Sequence, residues 1–261
     1  MVDFLQLLRN ENMKIYRLPR LFIFLGIIFV LVLGISITTY YVADKGSLDM
    51  WEMSDISSLV LTMLVTIFSV IVAAGTVAEE FSTGTIKLLL IRPWSRSKIL
   101  LSKYIACLLF SLLLTLFLLA SILLVNGILF GGWNVVKHLG DETTIPGFEY
   151  ILKFYGLYFL SSIITVTISF MLSTIFRSNA LAIGIALFME LIMNNVLMLL
   201  QLIEKKWVDY LIFSHLSLIQ YVSGSSINGY TLGFSLAVLG VYYVIFIAVT
   251  WLIFTKRDVA T

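Results

Sequence analysis

The stretch AEEFSTGTIKLLLIRPWSRSKIL, residues 78–100, sets two glutamates, a Thr-Gly-Thr turn and a cluster of cations between two long apolar runs. Each flanking run is long enough to cross a hydrocarbon core, which takes about 20 helical residues. The stretch therefore reads as a charged connection at a membrane surface, and the rest of the chain follows from that. Of 261 residues, 60% are hydrophobic and 12% charged, with a mean hydropathy of +1.04. Soluble domains carry about twice that charge fraction, so the solvent for this much apolar surface is lipid.

Six runs reach spanning length, near residues 21–43, 56–78, 104–130, 154–176, 180–203 and 231–254. They must be helices, because lipid offers no partner to a free backbone amide or carbonyl, and they lack the alternation of a barrel strand. The first run, Leu21–Val42, is too long for the apolar region of a signal peptide, about 7–15 residues, and no small-x-small site follows it. It is expected to be an uncleaved anchor. The expected architecture is an all-α, six-span membrane domain over residues 21–254, preceded by an amphipathic arm, 1–20, and followed by a tail, 255–261.

With six spans, both termini and the segments 79–103 and 177–179 share one side, which holds twelve of the seventeen Lys and Arg residues. Cytoplasmic loops are enriched in these residues, so both termini are expected in the cytoplasm. The other side has Lys45, Lys137, Lys153, Lys205 and Lys206 among nine acids. Its third loop contains WVDYLIFSHLSLIQY, with Trp207, Tyr210, Leu211, Ser214 and Leu218 on one helical face. Apolar content of that kind predicts a short interfacial or re-entrant helix. A net charge of +2 gives no reason to expect nucleic acid as a partner. One cysteine, Cys107, with only His138 and His215, makes no structural zinc cage, and no metal site is expected. Cys107 reads as a small packing residue, and His215 as a polar tip at the interface.

Read as a helix, residues 79–91 place Glu80, Thr83, Gly84 and Lys87 on one polar stripe and Phe81, Thr85 and Leu88 on another face. Gly84 would let a partner's backbone approach. Pro93 would end this helix, since it lacks an amide and disfavours a helical Arg92. Ser95 or Ser97 would cap the next one, with Arg96, Lys98 and Lys103 at headgroup level. In the arm, Phe4, Leu7, Leu8, Ile15 and Leu18 share roughly one face opposite Gln6, Arg9 and Arg17, and Glu11 interrupts the apolar side. Such an arm is expected chiefly to lie on the inner leaflet.

The pattern Glu79-Glu80, Gly84-Thr85, Leu88-Leu89, Pro93, Ser95-Arg96 and Lys103, between the second and third spans, resembles the first cytoplasmic loop of type-2 ABC transporter permeases. The layout of the whole chain is similar to theirs, while the motif covers about 25 residues. The resemblance implies a coupling helix that docks on a separate ATPase, through Glu79, Glu80, Phe81, Thr83, Gly84, Thr85, Lys87, Leu88, Arg92, Pro93 and Arg96. It further implies two ATPase copies carrying Mg-ATP, a second identical or homologous permease chain, and a bacterial plasma membrane. Export of an amphipathic compound or antimicrobial peptide is the expected activity. The chain contains no G-x-x-x-x-G-K-[ST] phosphate loop, so no cofactor is expected on it, and it is read as a transport subunit rather than an enzyme.

Within the spans, Glu190 is the acid set deepest, and Asn194, Asn195 and Gln201 lie on or beside its face. A charge there costs roughly 2.5 kcal/mol or more and must face protein or water; otherwise Glu190 is protonated and hydrogen-bonded within or between subunits, as packing glue. Two hydroxyl stripes accompany it: Ser58, Thr62, Thr66, Ser69 and Thr76 in the second span, and Tyr158, Ser162, Thr165, Ser169 and Ser173 in the fourth. Such stripes serve close helix packing. A translocation path lined by Glu190, Asn194, Asn195, Thr66, Ser162, Thr165 and Ser169 is the functional alternative. Two other classes fit parts of the pattern. An intramembrane glutamate protease would use Glu79-Glu80, but no arginine stands in Phe81-Ser82-Thr83-Gly84 and the histidines fall in outer loops. A sensor or assembly module on the same fold would share the elbow.

Overall fold

A computed structural model describes residues 2–17, 19–42, 48–85, 94–132, 136–139, 143–201, 210–223 and 230–256; of residues 2, 3, 136–139, 143, 144, 193–201 and 223 it describes the backbone alone. The helices are α1 (Val2–Tyr16), α2 (Pro19–Val42), α3 (Met50–Ser82), α4 (Arg96–Leu129), α5 (Gly147–Ile175), α6 (Asn179–Gln201) and α7 (Leu232–Lys256). Five of them, α2, α3, α4, α5 and α7, are long and apolar enough to cross a membrane. The sixth expected span corresponds to α6, 23 residues long, whose described side chains end at Ile192. The protein is membrane-embedded and built almost wholly of helix.

Helices α3 and α4 outrun their apolar stretches because polar turns continue them beyond the hydrocarbon. At the start of α3, Asp49 accepts from the amides of Trp51 and Glu52, and Glu52 reaches back to the Asp49 amide. This capping box pulls residues 50–55, expected in a loop, into the helix. Ser95 caps α4 as expected, accepting from the Lys98 amide, and adds two turns ahead of Tyr104.

Helix α3 is the hub, packing against α2, α4, α5 and α6. Its most apolar stretch is 61% buried, against 22% in α2 and 11% in α7, so α2 and α7 lie at the periphery of the bundle. Phe24 of α2 stacks on Phe68 of α3 at 4.1 Å between ring centres. Several polar groups in the bundle answer one another, as a medium without water favours. Ser36 of α2 donates to Asn126 of α4 at 2.6 Å, and the Asn126 amide donates to Ser54 of α3 at 3.2 Å.

Two features depart from an all-α reading. Between α4 and α5, strands β1 (Val136–Leu139) and β2 (Thr143–Pro146) pair antiparallel, with Val136 opposite Pro146 and Leu139 opposite Thr143. Between α6 and α7 the expected interfacial helix is two 3₁₀ turns, Ile212–His215 and Leu218–Ser223. Tyr210 is exposed while Leu218 is fully buried, so they share no face; Trp207 lies outside the described residues. His215 is likewise no interfacial tip. It is buried, its Nδ1 2.8 Å from the Ser235 hydroxyl, which also meets the Tyr221 hydroxyl at 2.8 Å.

Candidate functional site: an ion-paired elbow and a hydroxyl-lined groove

Helix α3 carries one candidate region at its C-terminal end and another near its middle. The first forms where the arm meets α3 and α4. Leu7, Glu11 and Ile15, at i, i+4 and i+8, are the buried line of α1, so Glu11 is an anchor and not a flaw in the apolar side. Lys103, expected among headgroups, is 1% exposed and holds Glu11 at 2.8 Å and Glu80 at 2.6 Å. Lys14 closes the ring from outside, 2.8 Å from Glu11 and 3.0 Å from Glu80. Four charges of alternating sign thus cancel within one cluster, which is how buried ions are tolerated.

Burial pushes the Glu11 carboxyl upward, but the charges and hydrogen bonds of Lys103 and Lys14 outweigh it and hold the pKa below its ordinary 4.5. Burial lowers Lys14, and its bonds to Glu11 and Glu80 more than reverse that, leaving it above 10.5. The arm is therefore seated against α4 by ion pairs rather than only resting on a leaflet. A cavity of about 780 Å³ opens beside the cluster, with Asn10, Arg20, Glu79 and Trp94 in its wall.

The expected coupling residues do not form one stripe. Helix α3 ends at Ser82; Gly84 has φ +72° and donates to the Phe81 carbonyl at 3.2 Å. A helix cannot pass through that conformation, and among the described residues nothing lies within 4 Å of where a Gly84 Cβ would sit. The glycine serves the turn, not a close approach within this chain. Glu79, Thr83, Gly84 and Thr85 are exposed, whereas Glu80 turns inward and Phe81 packs against the apolar cluster that includes Val77, Leu100 and Phe254. Arg96 donates to the Thr255 carbonyl at 3.1 Å, joining α4 to the end of α7. Lys87, Leu88, Arg92 and Pro93 lie outside the described residues.

The second region is a groove of about 320 Å³ between α3, α5, α6 and the 3₁₀ turns. Of the expected path residues, Thr66, Ser162, Thr165, Ser169 and Glu190 all line it; the Asn194 and Asn195 side chains lie outside the described residues. The two hydroxyl stripes face each other here, so packing and lining are one arrangement. The Tyr158 hydroxyl donates to the Thr62 carbonyl at 2.9 Å and meets Thr66 Oγ1 at 2.9 Å; Ser58 and Tyr155 meet at 3.1 Å. Further along, Ser173 Oγ accepts from the amides of Val77 and Ala78 at 2.9 and 3.0 Å.

Sequence reasoning missed the Glu11–Lys103 pair and the wall that Phe213 and Leu216 add to the groove. The i, i+4, i+8 register of Leu7, Glu11 and Ile15 was the available signal for the pair. The 3₁₀ turns leave no period from which their contribution could be read.

The chain belongs to the DUF2705 family, described as a protein of unknown function, whose match covers residues 23–260. Over 207 residues it is 39% identical to the uncharacterized protein YhcI of Bacillus subtilis (strain 168), a match covering 76% of this chain and 66% of that protein. The chain thus spans just under two thirds of that relative's length. The uncharacterized membrane protein YdbK of the same organism is 32% identical over 203 residues, covering 76% of this chain and 79% of its own.

Proposed function

We propose that this member of the DUF2705 family is the membrane-spanning subunit of an ATP-driven exporter of the ABC type, working with a separate ATPase in two copies and a second permease chain. The observation that carries the reading is that one continuous helix, α3, bears the groove hydroxyls of Thr62 and Thr66 and runs through Glu79 to Ser82, where it ends in the exposed turn of residues 83–85. At 1.5 Å per residue, the tip and groove are about 20 Å apart along one rod. A partner that moves the tip by a rigid-body step would tilt the groove wall with it. The Lys103 cluster stiffens that joint, because it ties the end of α3 to α4 and the arm.

In this reading α6 is the sixth crossing, both termini face the cytoplasm of a bacterial cell, and Mg-ATP binds the partner alone. Docking falls to Glu79, Thr83 and Thr85, with Glu80 retained as an internal strut. The cargo is an amphipathic compound or peptide that enters from the cytoplasm or inner leaflet. The protease alternative has little to recommend it, since Glu80 is bonded to two lysines and His215 to Ser235.

Cysteine crosslinking tests the proposal directly, because the native Cys107 is buried. In membranes of the source cell, Thr83→Cys and Thr85→Cys should capture an ATPase polypeptide. Glu79→Arg combined with Thr83→Trp should lower the ATPase activity of the purified complex at least tenfold without changing membrane insertion. Capture of lipid alone, with no ATPase co-purifying, would overturn the reading.

A further inference from the structure

Most hydroxyls of the groove walls are already committed as donors. Five hydroxyls that line the groove spend their hydrogens on carbonyls of their own helices: Thr62 to Ser58, Thr66 to Thr62, Ser161 to Leu157, Ser162 to Phe159 and Ser169 to Thr165, at 2.7–3.1 Å. The Tyr158 hydroxyl lies 2.9 Å from both the Thr62 carbonyl and Thr66 Oγ1, so its hydrogen is also spent within the wall. A hydroxyl has one hydrogen and two lone pairs, so what these groups offer a ligand is acceptance. The acidic side chain in the described wall is Glu190, and among the described lining residues there is no Lys, Arg or His. Apart from the hydroxyls of Thr165 and Ser217, the remaining wall is apolar and adaptable, including Met63, Met189, Phe213 and Leu216.

We infer that the groove is a binding site for amphipathic organic cations bearing N–H donors, with Glu190 as the counter-charge and the hydroxyl oxygens of α3 and α5 as acceptors. A carboxylate in a medium of low dielectric attracts a cation far more strongly than it does in water. An anion of the same shape would meet lone pairs and a like charge. The volume, about 320 Å³, lies at the small end of ligand pockets, roughly 300–1,000 Å³, and suits one aromatic or short aliphatic amine or a single basic side chain of a peptide. This deepens the transport reading and rests on it for outward passage; binding itself requires neither ATP nor a partner.

The test uses the full chain in nanodiscs of zwitterionic lipid, with empty nanodiscs as the partition control. The probes are (1-naphthylmethyl)ammonium, the isosteric 1-naphthylmethanol and 1-naphthoate, followed by naphthalene fluorescence. Saturable binding of the ammonium is expected, with the alcohol and carboxylate at least tenfold weaker. Glu190→Gln should weaken the ammonium at least tenfold while leaving the alcohol unchanged. Thr66→Val, which keeps shape and removes an acceptor, should weaken it severalfold with unaltered elution and helix content. Equal binding of the ammonium and the carboxylate, or full affinity in Glu190→Gln, would overturn the assignment. Binding as expected without any ATPase partner would preserve the site and remove the transport reading; an ATPase complex without amine binding would do the reverse.

Discussion

Lys103 and Glu11 stand 92 residues apart in sequence and 2.8 Å apart in space, one on a membrane helix and the other on the amphipathic arm. Both side chains are at most 5% exposed, so the pair determines where the arm can sit. Removing one partner strands a buried charge, which typically costs about 3–5 kcal/mol. Lys103→Met should therefore lower the thermal midpoint sharply and expose the arm to protease. Combining Lys103→Met with Glu11→Gln should recover most of that loss, and a double-mutant cycle on thermal unfolding measures the coupling.

The same cluster sets a pH response. Because the folded-state pKa of Glu11 lies below 4.5, its contribution is complete above the ordinary carboxylate value and is lost as pH falls through the folded value. Lys14, raised above 10.5, contributes fully below its ordinary value, and that part is lost as pH rises through the folded one. Arm protection, read by limited proteolysis after pH equilibration, should be flat near neutrality and fall in acid. Glu11→Gln should flatten the acid limb.

Gly84 offers a separable test of the turn. With φ +72° and open space around its Cβ position, Gly84→Ala should cost about 1 kcal/mol through backbone conformation. Gly84→Asn should cost less, since asparagine visits that region more readily. Equal losses, measured by thermal unfolding, would mean that space and not conformation governs the site.

Gly147 behaves in the opposite way. A Cβ there would lie 2.2 Å from the Trp51 ring, which joins the start of α5 to the start of α3. Gly147→Ala should destabilise by about 1–3 kcal/mol, as overpacking does. Gly147→Ala with Trp51→Leu should restore part of it, again by thermal unfolding.

Much of the architecture was legible because membrane solvent imposes simple rules on sequence. Apolar runs gave the helices to within a turn or two, and the hydroxyl stripes gave the α3–α5 seam. What sequence hid was long-range or local in backbone conformation. Glu11 looked misplaced because its cation comes from α4. Glu80 and Gly84 looked like two points on one helical face, until a positive φ placed one at a turn and an ion pair drew the other inward. The 3₁₀ turns after Tyr210 carry no periodic pattern, so their role in walling the groove could be seen only in three dimensions.

Chain growth gives the arm's ion pairs a temporal side. The ribosome releases Glu11 long before Lys103, whose helix must enter the bilayer before that cation is in place. Until then the Glu11 carboxylate has Lys14, one turn away on its own helix, as the ion-pair partner already synthesised. The seating of the arm seen in the folded protein is therefore available only after residue 103 has been made.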